Sequence, residues 1–310
     1  MQQKIYQGID ELKRYEKKAD FTVYDLGPGF DIIYAAFNQD PGKDKNGKPF
    51  VDPVKLKWFT NVKFRQAIDY AIDRDALVRT VLNGRGVPVY GFDSPANKTW
   101  FTDTVSKYPY DPAKARALLK EIGIYDRKGD GTAEDADGHP IKFGLMTNSS
   151  NDLKVNTITL IKDNLRKIGI DVELQPIDFN LMQSKLQFTR DFDAVVGTWQ
   201  SGLPADPIMG KDILLPSGQY YVAHPRQKEP ATEWEKRMSD LIQLSSRSND
   251  LAARQKSYWE AMRIWSESLP EIDLAAQDAF VAVTNSIGNS KPSPLENFTY
   301  WNIDELYFKY

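Results

Sequence analysis

The chain has 310 residues, 41% of them hydrophobic and 27% charged, which is the composition of a globular protein large enough to bury a core. Its net charge of −3, with lysine and arginine scattered among aspartate and glutamate, argues against a nucleic-acid partner. Cysteine is absent, which rules out disulfides, thiolate catalysis and cysteine-based metal sites, and no stretch approaches the ~20 apolar residues that span a bilayer.

In chain order, Ile5, Ile9, Leu12 and Tyr15 recur at helical spacing and predict an amphipathic helix over 3–19. Phe21 to Tyr24 reads as a short strand, Gly27-Pro28-Gly29 as a turn, and 30–37 as a buried strand. After a polar loop, one long helix is expected over 62–82, with Phe64, Ala67, Ile68, Ala71, Ile72, Leu77 and Val78 on one face and Asn83-Gly84 as its stop. Asp111 is an N-cap and Pro112 a first helical residue for a helix ending at Gly123. A third helix is predicted over 152–168, and Ile170 to Leu174 alternates strictly, as a half-buried strand does. A short helix near 179–188, a strand over 191–198, two helices at 231–247 and 250–267, and a strand over 272–283 follow. The last 25 residues read as irregular and aromatic. Helices alternate with strands, so the class is α/β with a mixed sheet flanked by helices.

Four segments stand out, in this order: Phe64-Arg65-Gln66-Ala67-Ile68-Asp69-Tyr70-Ala71-Ile72-Asp73-Arg74 with its continuation to Pro88; Tyr110 to Leu119; Arg190 to Ala194 running into Trp199 and Asp206-Pro207; and Arg254 to Pro270. Together they resemble the peptide/nickel-type (family 5) solute-binding proteins of ABC importers. The resemblance covers nearly the whole chain. It implies a type II periplasmic-binding fold with one complete lobe and part of a second: 1–34 in the first lobe, 35–272 forming the second, and 273–310 returning to the first. The chain would cross the hinge near 35 and 273. It further implies capture of an oligopeptide or similar small solute, delivery to the transmembrane subunits of an ABC permease, a periplasmic or extracytoplasmic location, a monomer, no cofactor and no catalysis. The opening residues carry no apolar signal core, so an export signal is expected outside this sequence. A sensor or chaperone-type peptide-binding module on the same fold, coupled to a receptor, is the alternative.

Candidate ligand contacts gather in the loop from Gly197 to Pro207, where Trp199 offers a flat apolar wall with one donor and Gln200 and Ser201 offer orienting hydrogen bonds. Asp206 stands at an Asp-Pro step further on. By the resemblance, peptide-binding members carry an aspartate three residues after this tryptophan, where it meets the peptide amine; here that position is Gly202. Tyr34, Phe37 and Gln277, on strands expected to flank the hinge, are candidates to line the cleft, although alternation sends part of such a set into core.

The glycine-rich acidic run 126–138 matches a calcium loop at Asp126, Asp130 and Gly131, but Lys128 occupies a ligand position, so it reads as a surface hairpin. His139 and His224 pair with no histidine or glutamate at helical spacing, and no metal site is expected. No Gly-x-Ser-x-Gly and no phosphate-binding glycine loop occurs. Asp191 and Asp193, the remaining acid/base candidates, read as an exposed strand start.

Overall fold

The computed structural model describes residues 3–5, 8–199, 206–295 and 301–309, with backbone only for 3–5, 207 and 208. The strands are β1 (Gln3–Ile5), β2 (Phe21–Phe37), β3 (Gly86–Pro88), β4 (Lys142–Asn148), β5 (Asp171–Ile177), β6 (Ala194–Trp199), β7 (Ile272–Thr284), β8 (Ile287–Gly288) and β9 (Tyr307–Phe308). The helices are α1 (Ile9–Tyr15), α2 (Pro53–Phe59), α3 (Val62–Ala71), α4 (Arg74–Ala76), α5 (Pro112–Glu121), α6 (Asp152–Arg166), α7 (Phe179–Ser184), α8 (Lys211–Leu214), α9 (Glu233–Arg247) and α10 (Leu251–Ser268).

One mixed sheet organises the chain, in the order β1-β7-β2-β6-β4-β5 with β3 also on β7. β4 runs parallel to β5 and β6, each link passing through a helix, whereas β2 is antiparallel to both β6 and β7. The carboxyl ends of β4, β5 and β6 therefore share one edge, and β2 enters the sheet there.

Alternation along β2 divides the core between the two faces of the sheet. Ile33, Ala35 and Phe37 join Phe59 and Phe64 of α2 and α3, Phe143 of β4, and Ile158 and Leu165 of α6. On the other face Tyr34 and Ala36 join Met146, Val195, Met182, Leu186, Phe192 and Val222. A separate cluster of Trp100, Leu214, Tyr221, Met238, Tyr258 and Trp265 holds α9 and α10 together.

The α/β class and mixed sheet agree with the sequence reading, and three boundaries differ for identifiable reasons. Residues 3–5 are a strand on β7, so the first helix begins only at Ile9. The expected turn at 27–29 lies inside one continuous strand: Gly27, at φ 68°, absorbs a bulge, and its N–H is accepted by Asp25 Oδ1 at 3.1 Å. The expected 62–82 helix breaks at Ile72, whose ψ is 119°. There Asn164 Oδ1 accepts the N–H of Asp73, and Asp73 caps the next turn by accepting from Ala76. The chain then continues into a π-helical turn, Leu77–Val81. A second π turn, Lys185–Thr189, completes the helix expected near 179–188. The aromatic tail contains the small β8–β9 ribbon.

Candidate functional site

The strand end that carries Trp199 is built around a glycine. Gly197 and Tyr34 are register partners on β6 and β2, and a Cβ at 197 would sit 2.5 Å from the Tyr34 ring. That space lets the Tyr34 ring lie flat along β6 and stack on Trp199, with centroids 4.6 Å apart and planes 9° from parallel. The Trp199 indole N–H points to the carboxyl of Glu271, at 2.9 Å from Oε1 and 3.1 Å from Oε2. Tyr34 and Glu271 are buried, whereas Trp199 keeps one side partly open.

Beneath this stack lies a group of buried charges. Trp265 Nε1 donates to Asp273 Oδ2 at 3.1 Å. The guanidinium of Arg74 donates to the Asp273 carbonyl (2.6 Å from Nη2) and the Val89 carbonyl (2.9 Å from Nε), pairs with Asp69 at 2.5 Å, and stacks over Tyr90. Nearby, Arg65 donates to the carbonyls of Phe59, Ser268 and Leu269. Arg65 and Arg74 of the first family-like segment are thus internal braces. Burial pushes Asp69 up to about 6 against the pull of Arg74, and Asp273 up to about 7 against Trp265 and Arg74. Burial, and then the neighbouring Asp273, raises Glu271 well above the ordinary carboxylate range. Burial, and then Glu271, does the same to the Tyr34 phenol.

At the carboxyl ends of the parallel strands two helices begin. Asn151 caps α6 by accepting from Lys154 N, and Asp178 caps α7 by accepting from Asn180 N and Leu181 N. Lys154, half-buried on the first turn of α6, feels the carboxylate of Asp31 on β2: burial lowers the ammonium's pKa and Asp31 opposes that. This edge thus carries an aromatic wall, one partly exposed ammonium beside a buried carboxylate, and helix N-termini.

Of the residues singled out in the sequence, Trp199 and Tyr34 are brought together. Phe37 is not with them. It lies three positions from Tyr34, an odd number, so the pleat turns it to the opposite face, where it packs 4.8 Å from Phe59 and 5.3 Å from Phe143. Asp206 is held by Arg254 of α10, with Nη2 at 2.6 and 2.8 Å from its two oxygens. Gln277 is half-buried on β7 opposite Gly86, with its carbonyl against Gly29. Gln200, Ser201 and Gly202 lie outside the described residues.

Asp126 closes its own loop by accepting from the backbone of Gly129, Asp130 and Gly131. His139 is less isolated than its sequence neighbours suggested: its Nδ1 lies 3.2 Å from Asp135, four residues back, and Asp137 is close by. Asp135 also accepts from Trp58 Nε1. His224 sits 3.2 Å from Asp40. Asp193 is occupied by Lys55 Nζ at 2.6 Å and Gly144 N–H at 2.8 Å.

Two open grooves of about 420 and about 350 Å³ lie at the opposite, amino-terminal ends of the strands, lined by residues such as Asp193, Gln175, Lys185 and Lys142. Sequence reasoning passed over Glu271 and Asp273. The available signal was two acids at alternate positions in the otherwise apolar run from Leu269 to Ala276.

Residues 4–220 match the pattern of bacterial extracellular solute-binding proteins, family 5 Middle. A probable ABC transporter-binding protein of Deinococcus radiodurans is 30% identical over 252 residues, 78% of this chain and 42% of that one. The oligopeptide-binding protein AppA of Bacillus subtilis is 29% identical over 256 residues, 82% of this chain and 44% of AppA. The solved structure of AppA with a nonapeptide superposes at a TM-score of 0.75 and 25% identity, over 97% of this chain and 55% of that one. The periplasmic binding protein MelB of Agrobacterium fabrum, solved with stachyose, reaches a TM-score of 0.79 at 20% identity, over 92% of this chain and 44% of MelB. The chain spans about half the length of the curated relatives it matches. A type II periplasmic-binding fold and a match over most of its length agree: the chain belongs to the bacterial extracellular solute-binding proteins of family 5.

Proposed function

We propose that this chain forms one wall of the solute cleft of an extracytoplasmic binding protein that delivers an oligopeptide or similar small solute to an ABC permease. The observation that carries this reading is the Trp199–Tyr34 stack, fixed at the carboxyl end of β6 beside the starts of α6 and α7. Trp199 supplies the apolar wall, and Lys154, partly exposed at the start of α6, presents a positive charge to an anionic end of the ligand. Binding without turnover is supported by the occupation of the carboxylates: Asp193 and Asp206 are paired with cations, and Glu271 and Asp273 lie buried beneath the wall.

In the same reading, 35–272 is the second lobe, 1–34 and 273–310 belong to the first, and β2 and β7 carry the chain between them. Ligand capture is then closure of the lobes about those strands.

A thermal-shift screen of the polypeptide carrying this sequence tests the proposal, using di- to nonapeptides, stachyose and the nickel–histidine chelate as probes. A ligand that binds only the folded state raises the melting temperature. The expected result is a shift with one of these classes that Trp199→Ala abolishes. A shift unchanged by Trp199→Ala would place the ligand elsewhere and overturn the assignment of the wall.

A further inference from the structure

Glu271 and Asp273 stand two residues apart where β7 begins, so the pleat directs both carboxyls to one side. Both are buried, and each acts on the other through the low-dielectric space between them. Two carboxylates are acceptors only, so a buried pair of this kind is held together by a proton rather than by a bond of its own. Asp273 Oδ1 meets no donor, an arrangement that a buried neutral acid tolerates and a buried anion does not.

Among the described residues, the cation that acts on the pair is Arg74, and it is already shared. From α4, Arg74 reaches the Asp273 carbonyl and is paired with the Asp69 carboxylate of α3. Arg65 is committed to three carbonyls. The other ionisable groups acting on the pair are phenols, Tyr34 on β2, Tyr221 before α9 and Tyr258 on α10, all held neutral by burial. Facing the same pocket are two indoles, and each of the two acids accepts one indole N–H: Glu271 from Trp199 and Asp273 from Trp265.

We propose that Glu271 is a positioning residue for Trp199 and that it shares one proton with Asp273, so that pH sets the geometry of the solute wall. The proposal rests on the solute-site reading above. When the proton leaves to solvent, two like charges face one another in a dry pocket. Water or a moved side chain must then enter, and the nearest movable group is the partly exposed Trp199. The indole bond favours an ionised Glu271 while two ionised acids repel, so the seat of Trp199 follows the protonation of the pair.

The test needs no ligand. In the ¹⁵N-labelled protein, the Trp199 indole N–H resonance is identified by its loss in Trp199→Phe and followed from about pH 5 to about pH 9. We expect one titration with a midpoint near 7, the range to which Asp273 is raised. Glu271→Gln and Asp273→Asn should each flatten it. A resonance that does not move in the native protein overturns the proposal, as does a titration that survives Glu271→Gln. Should a variant not fold, ¹³C detection of the native carboxyls decides: one carboxyl titrating together with Trp199 supports the shared proton, and two ordinary titrations near ~4 overturn it. Because no solute is present, a failed ligand screen would overturn the solute site while leaving this titration standing.

Discussion

The two sides of the β2–β7 region are held together by different means. Around Phe37 the contacts are four phenylalanine rings, without a polar atom, packed at centroid distances of 4.8 to 6.2 Å. Around Asp273 they are directional: an arginine between two carbonyls and a carboxylate, two indole N–H groups on two acids, and a tyrosine on a third. The first arrangement depends on volume and is indifferent to pH. The second depends on where protons and charges sit, and the candidate site has been built on it.

The sharpest way to break the second region is Arg74→Met. It leaves the Asp69 carboxylate buried without its partner, a change that costs about 3–5 kcal/mol. Urea unfolding at neutral pH should show that loss, and it should shrink as the pH falls and Asp69 takes up a proton. Phe37→Ala probes the first region. Loss of a ring with 4% exposure should cost about 3–4 kcal/mol, by the same amount in mildly acidic and mildly alkaline buffer. A pH-dependent loss would show that the two regions are coupled across β2.

A smaller effect sharpens the contrast. Burial raises Asp93 to about 6, against hydrogen bonds from Tyr258 at 2.5 Å and Asn97 at 3.0 Å. Its folded pKa lies above its unfolded value, so the folded chain binds the extra proton between about pH 4 and about pH 6. Stability from this group is full below that window and falls as pH rises through it. Asp69 and Asp273 contribute in the same direction, the latter up to about 7. Asp93→Asn should remove its share of the slope, on the order of 2 kcal/mol across the window, as read from denaturation midpoints at stepped pH. A steeper slope in the variant would contradict the burial argument.

This contrast also explains what could be read in advance. The helix at Asp111-Pro112 was legible because its signal is local: Asp111 Oδ1 accepts from Ala113 N and Lys114 N within one turn. The paired helices α9 and α10 and the alternating start of β5 were legible through periodicity. The break at Ile72 was not, because apolar spacing runs straight through it and the deciding partner, Asn164, lies 91 residues beyond Asp73. Residues 3–5 were assigned to a helix because Ile5 and Ile9 share its period; pairing with the distant β7 overrode that local preference. At the candidate site, Trp199 was found because an aromatic residue after a strand stands out. Tyr34 and Phe37 were chosen together, and only strand parity, fixed by pairing with β6, separates them. Glu271 and Asp273 were passed over because acids at a strand start read as exposed, and only the packing of α10 and β6 above them makes them internal.

The bulges in β2 have a mechanical meaning. From Asp25 to Ile32 the strand takes seven residue steps, while its partner β7 takes four, from Phe280 to Ala276. One rail of a two-rail track is longer than the other over the same stretch, so the track must bend, with β2 on the outer side of the curve. The surplus lies beyond the last described rung that β2 shares with β6, at Ile32. Under the proposed closure of the lobes, slack of this kind would let the end bearing residues 21–25 and 280–284 change its angle to the rest of the sheet.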